Sequence, residues 1–143
     1  MRRSVLVVEE HPALRRAYVR LLRDAGYEVF SASPAEEIEP LLAGRRPDAI
    51  ILDPAGAAGK GMLIAESALK ANPSIALVFN ASDSRSMGTD FSTWVADAYT
   101  VRTSAPEELL HAVQALLPPG RGGRGAPARP GGRVIRRQVS SLA

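Results

Sequence analysis

The sequence predicts an α/β domain built on an open parallel sheet with helices on both faces. Three observations carry that reading. Apolar runs of strand length recur about every 20–25 residues, at "SVLVV" (4–8), "AIIL" (49–52) and "IALVF" (75–79), with shorter β-prone pieces at "EVFSA" (28–32) and "AYTV" (98–101). The strongest runs are apolar throughout rather than alternating, as in strands covered on both faces. The intervals carry the three-and-four spacing of amphipathic helices, and right-handed crossovers then distribute those helices over both sides of the sheet.

Taken in order, the strand at 4–8 is followed by a helix from Pro12, in which Leu14, Ala17, Tyr18, Leu21, Leu22 and Ala25 share a face and Gly26 offers a left-handed stop. After the strand at 28–32, "SPAE" (33–36) places Ser33 at an N-cap, Pro34 at the first helical position and Glu36 as the reciprocal partner. The helix so started carries Ile38, Leu41 and Leu42 and is predicted to stop at Gly44. The strand at 49–52 leads to a helix over 61–71, and the strand at 75–79 to a weaker helix over 84–96. Beyond the strand at 98–101, "SAPE" (104–107) repeats the capping device ahead of Leu109, Leu110, Val113, Leu116 and Leu117.

The 143 residues, 45% of them apolar, suffice for one well-buried core, and residues 1–117 are predicted to form it as a single domain. The absence of cysteine excludes disulfides and thiolate metal sites. No apolar run approaches the ~20 residues that span a bilayer. The apolar start of the chain is interrupted by Glu9 and Glu10 and does not read as a signal peptide. The expectation is a soluble cytoplasmic protein without membrane contact. Charge divides the chain: residues 1–117 hold 12 Lys/Arg against 15 Asp/Glu, a balance of −3, whereas residues 118–143 hold six Arg and no acid, +6. That tail, rich in Pro and Gly, has little to bury and is expected to be a mobile extension whose end, "RVIRRQVSSLA", forms a short strand or helix only against a partner. Its 26 residues are too few for a DNA-binding helix-turn-helix with its own core, and its arginines lack the interleaved aromatics that stack on bases.

In open α/β sheets ligands bind beyond the carboxyl ends of the strands. The first strand ends in Glu9 and Glu10, the third in Asp53, the fourth in Asn80 and the fifth in Arg102. One polar residue at a strand end marks only the emergence of the chain into water. Three carboxylates, an amide and a guanidinium gathered at four ends suggest a site. Hard oxygen ligands without His or Cys suit Mg²⁺, and a carboxylate there can act as a nucleophile and form an acyl phosphate. His11 and His111 read as solvated surface residues, and Trp94 as packing near the fifth strand.

Over residues 3–117 the sequence resembles the receiver domain of two-component response regulators. The resemblance rests on "VLVVEEHPALRRAYVRLLRDAGYEV", on "RPDAIILD", on Gly61 eight residues after Asp53, and on "ADAYTVRT" before the last helix. It implies a doubly wound, flavodoxin-like, five-stranded parallel sheet in the order 2-1-3-4-5, and a signalling protein rather than an enzyme. It implies that Asp53 accepts a phosphoryl group from a histidine kinase or phosphotransfer protein. Glu9, Glu10, Asp53 and the backbone carbonyl of Ala55 would hold Mg²⁺, and Asn80 and Arg102 would contact the phosphoryl group. Asn80 and Tyr99 would act as switch residues, signalling to a protein target through the fourth helix and fifth strand.

Several positions depart from the family pattern. Glu9 and Glu10 stand where an Asp pair is usual, which lengthens each reach to an ion that tolerates little displacement. Asn80 replaces a Ser or Thr, Arg102 a Lys, and Thr103 a Pro, while Pro54 follows the acceptor directly. Phosphoryl acceptance and Mg²⁺ binding are therefore expected to be weakened in a stand-alone receiver. Two other readings stay open. One is a pseudo-receiver in which Arg102 pairs with Asp53 and signalling is by binding alone. The other is an adaptor that uses its basic tail on nucleic acid or an acidic partner.

Overall fold

The computed structural model describes residues 2–82, 95–102, 105–120 and 133–134. Five parallel strands form where the apolar runs predict them: β1 (Ser4–Val8), β2 (Glu28–Ala32), β3 (Ala49–Leu52), β4 (Ala76–Ala81) and β5 (Ala98–Val101). Their order in space is β2-β1-β3-β4-β5, that of a doubly wound flavodoxin-like sheet. A sixth strand, β6 (Arg133–Val134), lies in the tail segment for which the sequence left a short strand or helix open, and adds antiparallel to the outer edge of β5. Two carboxylates, a buried one and a half-buried one, pin two strand starts. Asp48 accepts the Ser4 N–H at 2.8 Å, joining β3 to β1, and Asp97 accepts the Leu77 N–H at 2.8 Å, joining β5 to β4.

Among the described residues four helices cover the sheet: α1 (Pro12–Asp24), α2 (Glu39–Arg45), α3 (Gly56–Ala71) and α4 (Pro106–Leu116). β1 and β3 are buried along their whole length, and alternate residues feed two cores. Leu6, Val8, Ile50, Leu52, Leu77 and Phe79 face α2 and α3, whereas Val5, Val7, Ile51 and Val78 face α1 and α4. On the second face the Tyr27 hydroxyl donates to the Leu117 carbonyl, tying the end of α4 to the start of β2. Burial pushes the Tyr27 phenol well above its ordinary range, slightly opposed by Arg3.

Helix boundaries differ from the sequence reading in three places. α1 ends as expected, with Gly26 at φ 104°. The capping bonds of "SPAE" form, Ser33 N–H to Glu36 Oε2 at 2.7 Å and Ala35 N–H to Ser33 Oγ at 3.3 Å, but they close an isolated turn. A helix begun at Pro34 would carry Pro40 in its interior, lacking a donor and striking the carbonyl four residues back. α2 therefore starts at Glu39, with Pro40 in its first turn. It also runs through Gly44, and the left-handed residue is Arg46 (φ 48°), because Pro47 drives its predecessor out of the right-handed helical region. α3 starts five residues earlier than predicted. Residues 84–94 of the predicted 84–96 helix, with Trp94, and Thr103 and Ser104 lie outside the described residues, and Val95 and Ala96, at the end predicted for that helix, are not helical.

Candidate functional site

The carboxyl ends of β1, β3 and β5 converge on one charged cluster. Glu9, 3% exposed, follows β1 and is held by its own N–H on the Ala32 carbonyl at 3.0 Å. Its Oε2 accepts the His11 N–H at 2.9 Å and Nη2 of Arg102 at 3.1 Å. Asp53, 8% exposed, follows β3. Its Oδ1 accepts the Ala55 N–H at 3.0 Å and its Oδ2 the Ser82 hydroxyl at 2.7 Å, with Arg102 Nη2 3.7 Å away. One guanidinium nitrogen thus stands between two buried carboxylates. An unpaired carboxylate in this position would be costly, and Arg102 supplies the pairing that makes burial tolerable. The Nε of Arg102 is buried without a hydrogen-bond partner among the described residues.

Asn80 does not join this cluster. Along β4 the side chains alternate, and with Phe79 turned to the α2–α3 face Asn80 turns to the other. There its Nδ2 donates to the Tyr18 hydroxyl at 3.1 Å and its Oδ1 accepts from the Thr100 hydroxyl at 2.7 Å. Burial raises the Tyr18 pKa; the Asn80 hydrogen bond opposes this, Glu9 adds to it and Arg102 lowers it. The expectation that Asn80 meets a phosphoryl group is therefore corrected. The hydroxyl at Asp53 comes from Ser82, which sequence reasoning passed over. β4 runs on to Ala81, past the apolar run that ends at Phe79, and so delivers Ser82 rather than Asn80 beside Asp53. Tyr99 is 1% exposed, packed inward edge-on against Phe79 with ring centroids 5.5 Å apart.

Glu10 is exposed and lines a small recess together with Asp53, Arg102, Gly56 and Gly61. Gly61 is fixed by contact: a Cβ there would lie 2.0 Å from the Asp53 carbonyl oxygen and 2.8 Å from Pro54. Absence of a side chain at this one position lets α3 pack on the turn that presents Asp53. The donor set does not fit a divalent cation in this arrangement. The place between Glu9 and Asp53 is taken by a guanidinium, and the contact seen for Ala55 is its N–H. Among the described residues no group of three His, Cys, Asp or Glu is placed to hold a metal ion.

A conserved-domain comparison decides the family: the response regulator receiver domain matches residues 5–114. This chain belongs to the response regulator receiver family. Response regulator MprA of Mycobacterium sp. (strain KMS) is 34% identical over 117 residues, covering 79% of this chain and 50% of MprA; the chain thus spans about half the length of the curated relatives it matches. Among solved structures, the response regulator TrrA in complex with the histidine kinase ThkA is 28% identical, with a TM-score of 0.68, over 80% of this chain and 98% of that one. TrrA from Thermotoga maritima in complex with Mg²⁺-BeF is 27% identical, with a TM-score of 0.67, over 80% and 99% of the two chains. The chemotaxis response regulator CheY4 of Vibrio cholerae, 23% identical over 82% of this chain and 100% of its own, shares the fold with a TM-score of 0.71. The chain is thus a receiver domain of two-component signalling, with an arginine lodged between two buried carboxylates at its strand ends.

Proposed function

We propose that this receiver accepts a phosphoryl group on Asp53 from a histidine kinase or phosphotransfer protein in the cytoplasm, slowly, and passes the signal on by protein–protein interaction. The observation that carries the reading is the Asp53 carboxylate held at the end of β3 by a hydroxyl donor, Ser82, with a cation, Arg102, within 3.7 Å. An Asp53 carboxylate oxygen attacks phosphorus, the bond from phosphorus to the donor imidazole breaks, and the imidazole leaves with its electron pair and takes up a proton. Arg102 can swing from Glu9 onto the phosphoryl oxygens, where its fork makes charge-assisted hydrogen bonds, and Ser82 can donate to the same group. Slowness follows from the resting arrangement, since both Asp53 oxygens already accept hydrogen bonds and Arg102 must leave Glu9. Output is assigned to the face of the fourth helix expected from the sequence and of β5, where Tyr99 lies.

The Arg102–Glu9 bond at 3.1 Å favours a second reading, a pseudo-receiver whose charged cluster is permanently closed. One experiment separates the two. Incubation with acetyl phosphate or phosphoramidate, with and without Mg²⁺, should give an adduct of one phosphoryl mass in the wild type and none in Asp53→Asn. If excess donor yields no adduct in any condition, Asp53 is a structural partner of Arg102 and the receiver works by binding alone.

A further inference from the structure

The parallel part of the sheet ends at β5, whose inner side pairs with β4. Asp97 donates its N–H inward to the Leu77 carbonyl at 2.7 Å. By strand alternation the next amide, that of Ala98, points outward. An outward row of donors and acceptors is a template for another strand. Here it is filled by β6, antiparallel, with Val134 opposite Ala98 and Arg133 opposite Tyr99. This strand is an addition to the receiver. The family match stops at residue 114, and CheY4, matched along 100% of its own length, accounts for only 82% of this chain.

Two features mark the added strand as removable. It pairs through two residues, far below the length that makes a strand stable by itself. It is joined to the body through "RGGRGAPARPGG" (121–132), which has almost no apolar side chain to anchor it. Its position is also consequential. Tyr99, which it faces across the pairing, packs on Phe79 in the core, and Arg102 lies three residues further along the same strand segment.

We propose that the outer edge of β5 is a strand-pairing surface whose built-in occupant is this chain's own segment around Arg133–Val134, bound in cis and displaceable. The surface recognises an extended chain through its backbone, in antiparallel register, and the basic tail shields it until a competing strand takes its place. The pairing stands whether or not Asp53 takes up a phosphoryl group, because it is read on amides and not on chemistry at the site.

The test uses the full chain. Replacing both Arg133 and Val134 by Pro removes two backbone donors from β6 and leaves every residue of the receiver body unchanged. Residue-resolved amide exchange should then show the Ala98 amide exchanging roughly tenfold faster or more, as expected for release of a weakly held local element, while β1 and β3 are unaffected. Adding a synthetic peptide of residues 129–139, "RPGGRVIRRQV", to this double variant should restore the protection, and a scrambled peptide should not. Equal exchange at Ala98 in wild type and variant overturns the proposal. Wild-type protection that falls on dilution overturns the cis assignment and makes the occupant the tail of a second copy.

Discussion

Two polar clusters are buried on either side of the carboxyl ends of β3, β4 and β5, and they are built on different principles. Toward α3, Glu9, Asp53 and Arg102 form a charged set with two carboxylates sharing one guanidinium nitrogen. Toward α1, Tyr18, Asn80 and Thr100 form a neutral set in which each amide atom of Asn80 has one partner. The neutral set is closed: its members satisfy one another and have no charge to exchange. The charged set is held by a single side chain that reaches in from β5, and the Nε of that side chain lacks a hydrogen-bond partner among the described residues. A site that must take up a charged group is better served by such an arrangement, since its pairing can be rearranged without breaking the sheet. The closed set, by contrast, serves to lock β4 and β5 to α1.

Removing the shared cation should break the comparison most sharply. Arg102→Met leaves Glu9 and Asp53 buried at 3% and 8% exposure without their cation, and a loss of about 3 kcal/mol is expected from chemical denaturation at neutral pH. The same substitution clears the space between the carboxylates. Mg²⁺ should therefore raise the thermal midpoint of Arg102→Met by more than that of the wild type. Equal Mg²⁺ responses in the two proteins would show that the guanidinium is not what keeps a divalent ion out.

The fold was legible because its central strands are apolar on both faces: β1, β2, β3 and β5 match their runs residue for residue, and β4 is displaced by one residue at its start and two at its end. Helix starts were less legible, since the capping signal at Ser33 is purely local while the obstacle to that helix, Pro40, lies about two helical turns beyond it. At the site, Glu9, Asp53 and Arg102 were found from strand ends alone. Asn80 was misplaced because β4 runs two residues past its apolar run, so Asn80 lies inside the strand and Ser82, two residues on, stands at its carboxyl end. β6 falls in the segment expected to form a short strand or helix against a partner, but its docking on β5 was not legible, because two residues with a backbone role leave no pattern that names their partner.

A smaller effect is expected from the neutral set. Tyr18→Phe keeps the ring, which packs in the α1–α4 core, and removes only the oxygen that accepts from Asn80 Nδ2. A loss of about 1–2 kcal/mol in denaturant midpoint stability should follow, the cost of a buried donor left without its partner. Phosphoryl uptake at Asp53 should be unchanged if the two clusters are independent. A fall in uptake with Tyr18→Phe would instead show that the lock between α1 and β4 positions Ser82.

The smallest effect concerns pH, and it reads the burial of the neutral set directly. Tyr18 has its pKa raised from an ordinary value of 10.0, chiefly because burial disfavours the phenolate. Below that value the hydroxyl is protonated in both folded and unfolded chains, and it adds no pH dependence. Above it the unfolded chain loses the proton first and so binds fewer protons than the folded one, which gives stability a negative slope with rising pH. The contribution of Tyr18 is thus fully present below pH 10 and erodes as pH climbs toward its raised folded value. At pH 10 the loss from one such tyrosine is about 0.4 kcal/mol relative to neutral pH, growing by at most about 1.4 kcal/mol for each further unit. Tyr27, raised by burial in the same core, contributes with the same sign in both proteins, so the wild type and Tyr18→Phe differ by the Tyr18 share alone. Denaturation series at pH 8, 10 and 10.5 should therefore show the variant losing less stability than the wild type across that range. Parallel curves would mean that Tyr18 ionises as readily in the folded chain as in the unfolded one, and the neutral set would then not be closed to water.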